Sequence, residues 1–182
     1  MAGKPPNPAA LYEAALNHMA RYATTETGLA HVLARRIERW GRAQGEEAEP
    51  EEIAQAMRQA KAAIPGVLSR LRELGVLNDA LFAASRMKRL TREGKSRRAA
   101  LAHLAAKGIK APSAPEDPER ELAAACAYLR RRRAGPFGPA PADKILAAMA
   151  RGGFAQSTAR RALALERDEA EALINGLSAP LA

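Results

Sequence analysis

The sequence predicts an all-α protein built as tandem helical units, with the second unit shortened. Three observations carry this. Of 182 residues, 47% are hydrophobic but only 4% aromatic, so the core must be assembled mostly from Ala and Leu. These, with Arg, Glu and Lys, are the strongest helix formers. No stretch alternates β-branched and polar residues as a half-buried strand would. Finally, a pattern recurs at an offset of 45 residues: Gly108 and Ile109 overlie Gly153 and Phe154, Leu104 overlies Met149, and Leu101 overlies Leu146. Ile37 and Gly41 take the equivalent places more loosely in the first unit, and such recurrence marks helical repeats that share a core.

Taken in order, residues 1–7 hold Gly3, Pro5 and Pro6 at a terminus and read as a disordered tail. The first unit covers 8–75. Asn7 caps a helix with Pro8 in its first turn and with Leu11, Ala15, Leu16, Met19 and Tyr22 facing inward. Thr24 and Thr25 offer the next cap. Leu29, Val32, Leu33 and Ile37 give that helix its buried face, and Trp40, the single tryptophan, anchors a core edge. The acidic stretch 44–52 reads as a loop or as the polar opening of a long helix. From Ile53 the helical pattern returns. Pro65 lacks a backbone donor and clashes with the preceding turn, so a break or kink is expected there. A shorter helix with Val67, Leu68, Leu71 and Leu74 inward would follow.

The second unit is 76–110. Gly75 is a left-handed stop for the preceding helix. Asn78 suits an N-cap with Asp79 in the positive first turn, and Leu77 and Phe82 can pair as a hydrophobic staple. Phe82, Ala83, Met87 and Leu90 form the inward stripe of this helix; Arg86 falls within its width and must snorkel outward. Gly94 breaks the run, Ser96 caps the next helix, Leu101 and Leu104 face inward, and Gly108 closes the last turn with Ile109 folding back. The linker 111–118 follows at once, where Pro112, Pro115 and Pro118 stop helix and sheet alike. The third unit is 119–175. Its first helix carries Leu122, Ala125, Cys126 and Leu129 and ends in four consecutive arginines. A last helical pair covers 142–154 and 156–174, and the tail 176–182 is expected to fray.

Reactive chemistry is thinly represented. There is no phosphate-cradling Walker loop and no dinucleotide fingerprint. His18, His31 and His103 are scattered, with no acid or nucleophile at the spacing that base catalysis or metal ligation requires. An N-cap accounts for the Asn78–Asp79 pair. Cys126 is the only cysteine, which rules out an internal disulfide, fits a reducing compartment and reads as a small core residue. No apolar run is long enough to cross a bilayer, and 1–14 has no signal-peptide core. The expectation is a cytosolic, monomeric non-enzyme with no catalytic residue, cofactor or metal.

Charge is the stronger signal. The net charge is +9 and the isoelectric point about 10.3, which draws a chain toward polyanions or an acidic protein face. Lys95, Arg97 and Arg98 stand at a helix start, where exposed cations oppose the helix dipole at roughly 0.3–1 kcal/mol each. That placement makes sense if an anion or carboxylate meets them. Arg86, Lys88, Arg89 and Arg92 on the preceding helix extend the patch. Arg130, Arg131, Arg132 and Arg133 are less telling, since cations at a helix C-terminus are favourable in any case, but four in succession wrap most of the way round the helix.

At this point the residues resemble a family. LSRLRELGVLNDALFAASRMKRL, GKSRRAALAHLAAKGI, and YLRRRRAGPFG followed by KILAAMARGGF are similar in order and spacing to the RecX family of RecA regulators, the last in its alphaproteobacterial form. The likeness spans residues 10–165. Two departures are the Asn78–Asp79 pair, where the family has two acids, and Arg86 at an often aromatic position. The resemblance implies an elongated helical array of three tandem three-helix units that binds along the groove of the RecA nucleoprotein filament. It implies inhibition of RecA's ATPase, strand exchange and co-protease activities, tempering recombination and the SOS response, with weak nucleic-acid contact. Two alternatives stand beside it. One is a helix-turn-helix-like DNA-binding protein, for which the helix after Ser96 offers Arg97 and Arg98 but then mostly alanine. The other is a helical scaffold for a different acidic partner.

Overall fold

A computed structural model describes residues 4–44, 49–110 and 112–178. Among the described residues there are nine α-helices, one 3-10 helix (Gly135–Phe137) and no strand beyond an isolated bridge between Ala134 and Ala140. The all-α class is what the sequence predicts. The chain divides into two compact units, Met1–Phe82 with Lys107–Ile109, and Ala83–Ala106 with Lys110–Ala182. The stretch 76–110 contributes to both.

In the first unit, α1 (Pro8–Met19), α2 (Glu26–Arg42) and α3 (Pro50–Glu73) pack round one apolar core. Leu29, Leu33 and Ile37, spaced four residues apart on α2, are fully buried. Opposite them α3 supplies Ile64, Val67, Leu68 and Leu71. Gly41 allows the Met57 side chain of α3 to occupy the place a Cβ would take. Pro65 does not break the helix: α3 runs through it. The physical reason lies in the pattern around it. Pro65 and Gly66 face solvent, while Ile64, Val67, Leu68 and Leu71 are all buried. Four buried side chains, each contributing about 1.5–3 kcal/mol, outweigh the roughly 3 kcal/mol penalty of one interior proline. Burial of α1 is narrower than expected. Leu11 and Ala15 are fully buried, but Leu16 is 40% exposed, and Tyr22, beyond the helix end, is 61% exposed beside His18. Leu74 is likewise exposed, because it sits on the C-cap where the chain turns at Gly75, and Leu77 closes the core in its stead. Trp40 is half-buried at the unit's rim. Of the two readings of 44–52, a loop or the polar opening of a long helix, the second holds from Pro50, where α3 begins with Glu51 and Glu52 in its first turn; 45–48 lie outside the described residues.

In the second unit, α6 (Pro118–Arg132) is the hub. Every residue from Leu122 to Ala127, and Leu129, is buried, so the helix is enclosed on nearly all sides and not along one stripe. α8 (Gln156–Ala164) and α9 (Arg167–Gly176) pack against it, and α7 (Ala142–Arg151) packs on α8 and adds Ile145 and Met149 to the same core. The single helix expected over 156–174 is two. Leu165 is extended, and the Glu166 N–H donates to the Glu169 carboxylate to start α9. An unbroken helix there would run about 28 Å, past the roughly 22 Å of α6; the break keeps both halves against the hub. Phe154 folds back as expected, buried edge-on against Tyr128 with ring centroids 5.8 Å apart. Of the expected tail, Leu177 is buried, and 179–182 lie outside the described residues.

One joint occurs in both units. In the first, the Thr25 hydroxyl caps α2 by accepting from Gly28 N (3.0 Å) and donates to the Lys107 carbonyl (2.7 Å). In the second, the Ser96 hydroxyl caps α5 (Arg97–Ala106) by accepting from Ala99 N (3.1 Å) and donates to the Gly152 carbonyl (2.6 Å). Each carbonyl precedes a glycine with a left-handed backbone, Gly108 at φ +83° and Gly153 at φ +85°. A side chain at Gly108 would strike Thr27, and one at Gly153 would meet Ser96 Oγ at 2.9 Å. A carboxylate completes each joint: Asp79 accepts from Glu26 N at 2.8 Å, and Glu121 from Arg97 N at 2.9 Å. Asn78 caps α4 (Asp79–Arg92) as predicted, through Leu81 N at 3.0 Å, but Asp79 serves α2.

Candidate partner-binding face

The basic residues singled out by sequence all fall in the second unit. The end of α4 is pressed onto the end of α6: a Cβ on Gly94 would lie 2.6 Å from Tyr128 N and 2.8 Å from its Cα. This contact brings together two stretches far apart in sequence. Arg131 reaches across from α6 and donates to the Glu93 carbonyl at 2.7 Å, while Arg89 donates to the Glu93 carboxylate at 2.8 Å. The hydrogen bond from Arg89 is the main cause holding the Glu93 carboxyl below its ordinary range; burial opposes it, and the charges of Arg89, Arg131 and Arg86 add to it. One acid thus sits among three guanidinium groups and leaves a positive surplus.

The other cations divide by role. Lys88, Arg92, Lys95 and Arg98 are exposed. Lys88 and Arg92 are one turn apart on α4 and share a face. Arg86 is half-buried, with its Nε withdrawn from solvent. Arg97 turns inward: its Nε and Nη2 donate to the Ala114 carbonyl at 3.1 and 2.6 Å, and Nη1 stands 3.7 Å from Glu116. That fastens the proline-rich linker to the start of α5.

All four arginines at the end of α6 are exposed. Arg130 pairs with Glu171 of α9 at 2.9 Å, and the Arg132 guanidinium lies 5.4 Å from the Tyr128 ring centroid. Arg133 takes the left-handed cap (φ 51°), with Ala134 N donating to Leu129 O at 3.1 Å. Gly138 is packed so closely on the Arg133 carbonyl that a side chain there would collide with it.

Sequence reading missed the Arg131–Glu93 link and the pairing of helix caps with distant carbonyls. The only available signal was the 45-residue recurrence, which aligns the two glycines of the joints. Among the described residues, no three His, Cys, Asp or Glu side chains are grouped to hold a metal ion, and no helix is long and apolar enough to cross a membrane. Cys126 is fully buried, and burial pushes its thiol up to about 11 against the pull of Arg161.

Fold and surface together define a class: a basic all-α protein of capped helices with exposed cations on α4 and at the end of α6. No family model matches the chain, and no solved structure matches it. Over 169 residues it is 30% identical to the regulatory protein RecX of Myxococcus xanthus, covering 86% of each chain. The protein belongs to the RecX family of regulatory proteins.

Proposed function

We propose that this protein binds the RecA nucleoprotein filament and inhibits its recombinase, ATPase and co-protease activities, modulating recombinational repair and the SOS response. The observation that carries the reading, beside family membership, is the cationic ridge formed where α4 meets α6. It offers a partner several exposed cations on one compact unit: Lys88, Arg92, Lys95, Arg98, Arg132 and Arg133. A filament of acidic subunits wound on a polyanion is a matching surface. Inhibition then needs no reacting group, only a higher affinity for one filament state than another. In this reading the protein acts as a monomer in the cytosol, and the arginine run before Gly135, Pro136 and Phe137 marks an alphaproteobacterial-type member. The two matching joints support dividing the chain into tandem units. A sequence-reading helix in α5 is disfavoured, since Arg97 is engaged by Ala114 and Glu116.

The test is a titration into RecA on single-stranded DNA, read by ATP hydrolysis. Lys88→Ala/Arg92→Ala combined with Arg132→Ala should weaken inhibition while leaving helicity intact. Unchanged potency removes the ridge from the mechanism. Turnover unaffected by saturating wild-type protein refutes the function.

A further inference from the structure

The first unit carries a different feature. Residues 4–7, ahead of α1, and one face of α2 enclose an open cleft of about 450 Å³, lined by Lys4, Pro5, Pro6, Arg36, Arg39 and Trp40 among others. Arg36, Arg39 and Trp40 stand at i, i+3 and i+4, so they share that face. Charge is sorted across α2. Its two acids are both taken by α3, Glu26 by Arg72 at 3.2 Å and Glu38 by Lys61 at 3.1 Å. Among the described residues, Lys4, Arg36 and Arg39 are exposed and make no ion pair, and no acid lines the cleft.

We propose that this cleft binds single-stranded nucleic acid, with a base stacked on the Trp40 indole and the adjoining phosphates held by Arg36, Arg39 and Lys4. A flat ring set beside exposed cations is the arrangement that grips an unpaired strand, because every base has a π-face and every linkage a charge. The volume suits a nucleotide-sized group. An intact duplex keeps its bases stacked inside and offers the indole nothing. An acidic peptide satisfies the cations and leaves the ring without a flat partner. Pro5 and Pro6 give the cleft a stiff wall that loses little entropy when a strand arrives. The site goes beyond RecA inhibition and uses none of the ridge residues.

Trp40 is the only tryptophan, so its fluorescence reports on this cleft alone. The full chain is titrated with a short oligo-dT strand, an abasic strand of the same length, the duplex, and a polyglutamate of equal charge. The expected result is saturable quenching by oligo-dT and little by the other three. Arg36→Gln/Arg39→Gln, both on the surface, should weaken oligo-dT binding by roughly tenfold or more without loss of helicity. Trp40→Ala, followed by anisotropy of a labelled strand, should likewise weaken binding by roughly tenfold or more. Equal quenching by the abasic strand or by polyglutamate overturns the proposal, as does unchanged affinity of the double-glutamine variant. RecA ATP hydrolysis measured in parallel separates the two readings. Intact inhibition with no Trp40 response to oligo-dT sinks the cleft alone; Trp40 quenching with no inhibition supports the cleft and sinks the RecA reading alone.

Discussion

Replacing Ser96 by Ala tests the joint of the second unit. The side chain is fully buried, and its oxygen does two things: it accepts from Ala99 N at 3.1 Å and donates to Gly152 O at 2.6 Å. Losing an N-cap costs about 1 kcal/mol. Leaving a buried carbonyl without its donor costs about 1–3 kcal/mol more. The expected loss is therefore roughly 2–4 kcal/mol, and at about 2–4 °C per kcal/mol for a chain of this length the melting temperature should fall by roughly 4–16 °C. Helical circular dichroism during urea and thermal unfolding reads both values. Ser96→Gly separates the two parts, because glycine at an N-cap costs only a few tenths of a kcal/mol relative to serine. Most of the loss should persist in Ser96→Gly if the Gly152 carbonyl dominates. Thr25→Ala, with the same geometry at Lys107, should produce a comparable loss in the first unit. A change below about 0.5 kcal/mol for both Ser96→Ala and Thr25→Ala refutes the view that these hydroxyls hold the joints.

Pro65→Ala should raise stability by about 1–2 kcal/mol, since α3 is already continuous and the proline faces solvent; a drop in the urea midpoint means the ring has a packing role. Cys126 at pH 8 should resist alkylation until the second unit unfolds. With its thiol near 11, only about one in a thousand molecules is thiolate, against about one in four for an ordinary thiol, so rapid labelling of native protein contradicts the burial. Burial raises the Glu121 carboxyl, opposed by the Arg97 N–H and charge. A raised acid contributes most below its unfolded value near 4.3 and progressively less as pH rises through its folded value. Glu121→Gln should therefore gain on wild type in melting temperature as pH goes from 4 to 7, and a constant or shrinking difference would contradict this assignment.

Helix existence was legible in the sequence wherever caps and periodicity agreed. Asn7, Thr25, Asn78 and Ser96 all cap the helices assigned to them. Leu122, Ala125, Cys126 and Leu129 lie inward as the period requires. Failures came where tertiary packing outweighs a local rule. Pro65 is a strong local breaker overruled by four buried neighbours. Leu165 has no turn signal, and the helix breaks there because two short helices cover α6 better than one long one. Tyr22 and Leu16 look apolar and inward, but α1 has only the width of Leu11 and Ala15 to bury. The cationic stretches were visible as charge. Their union was not, since Arg131 meets Glu93 through a main-chain carbonyl that no side-chain pattern announces.

The make-up of α6 sets an unusual tolerance. Ala123, Ala124, Ala125 and Ala127 are all enclosed, so at these four positions the helix has one methyl each to lose and no room to gain more. Truncation, the usual way to wound a core, does little at those alanines, whereas added carbons there force neighbouring helices apart. Variation along this segment is thus limited by girth. A bulky replacement at Ala127 would press on the adjoining Gly94, where the spacing between two backbones keeps Arg131 within reach of Glu93.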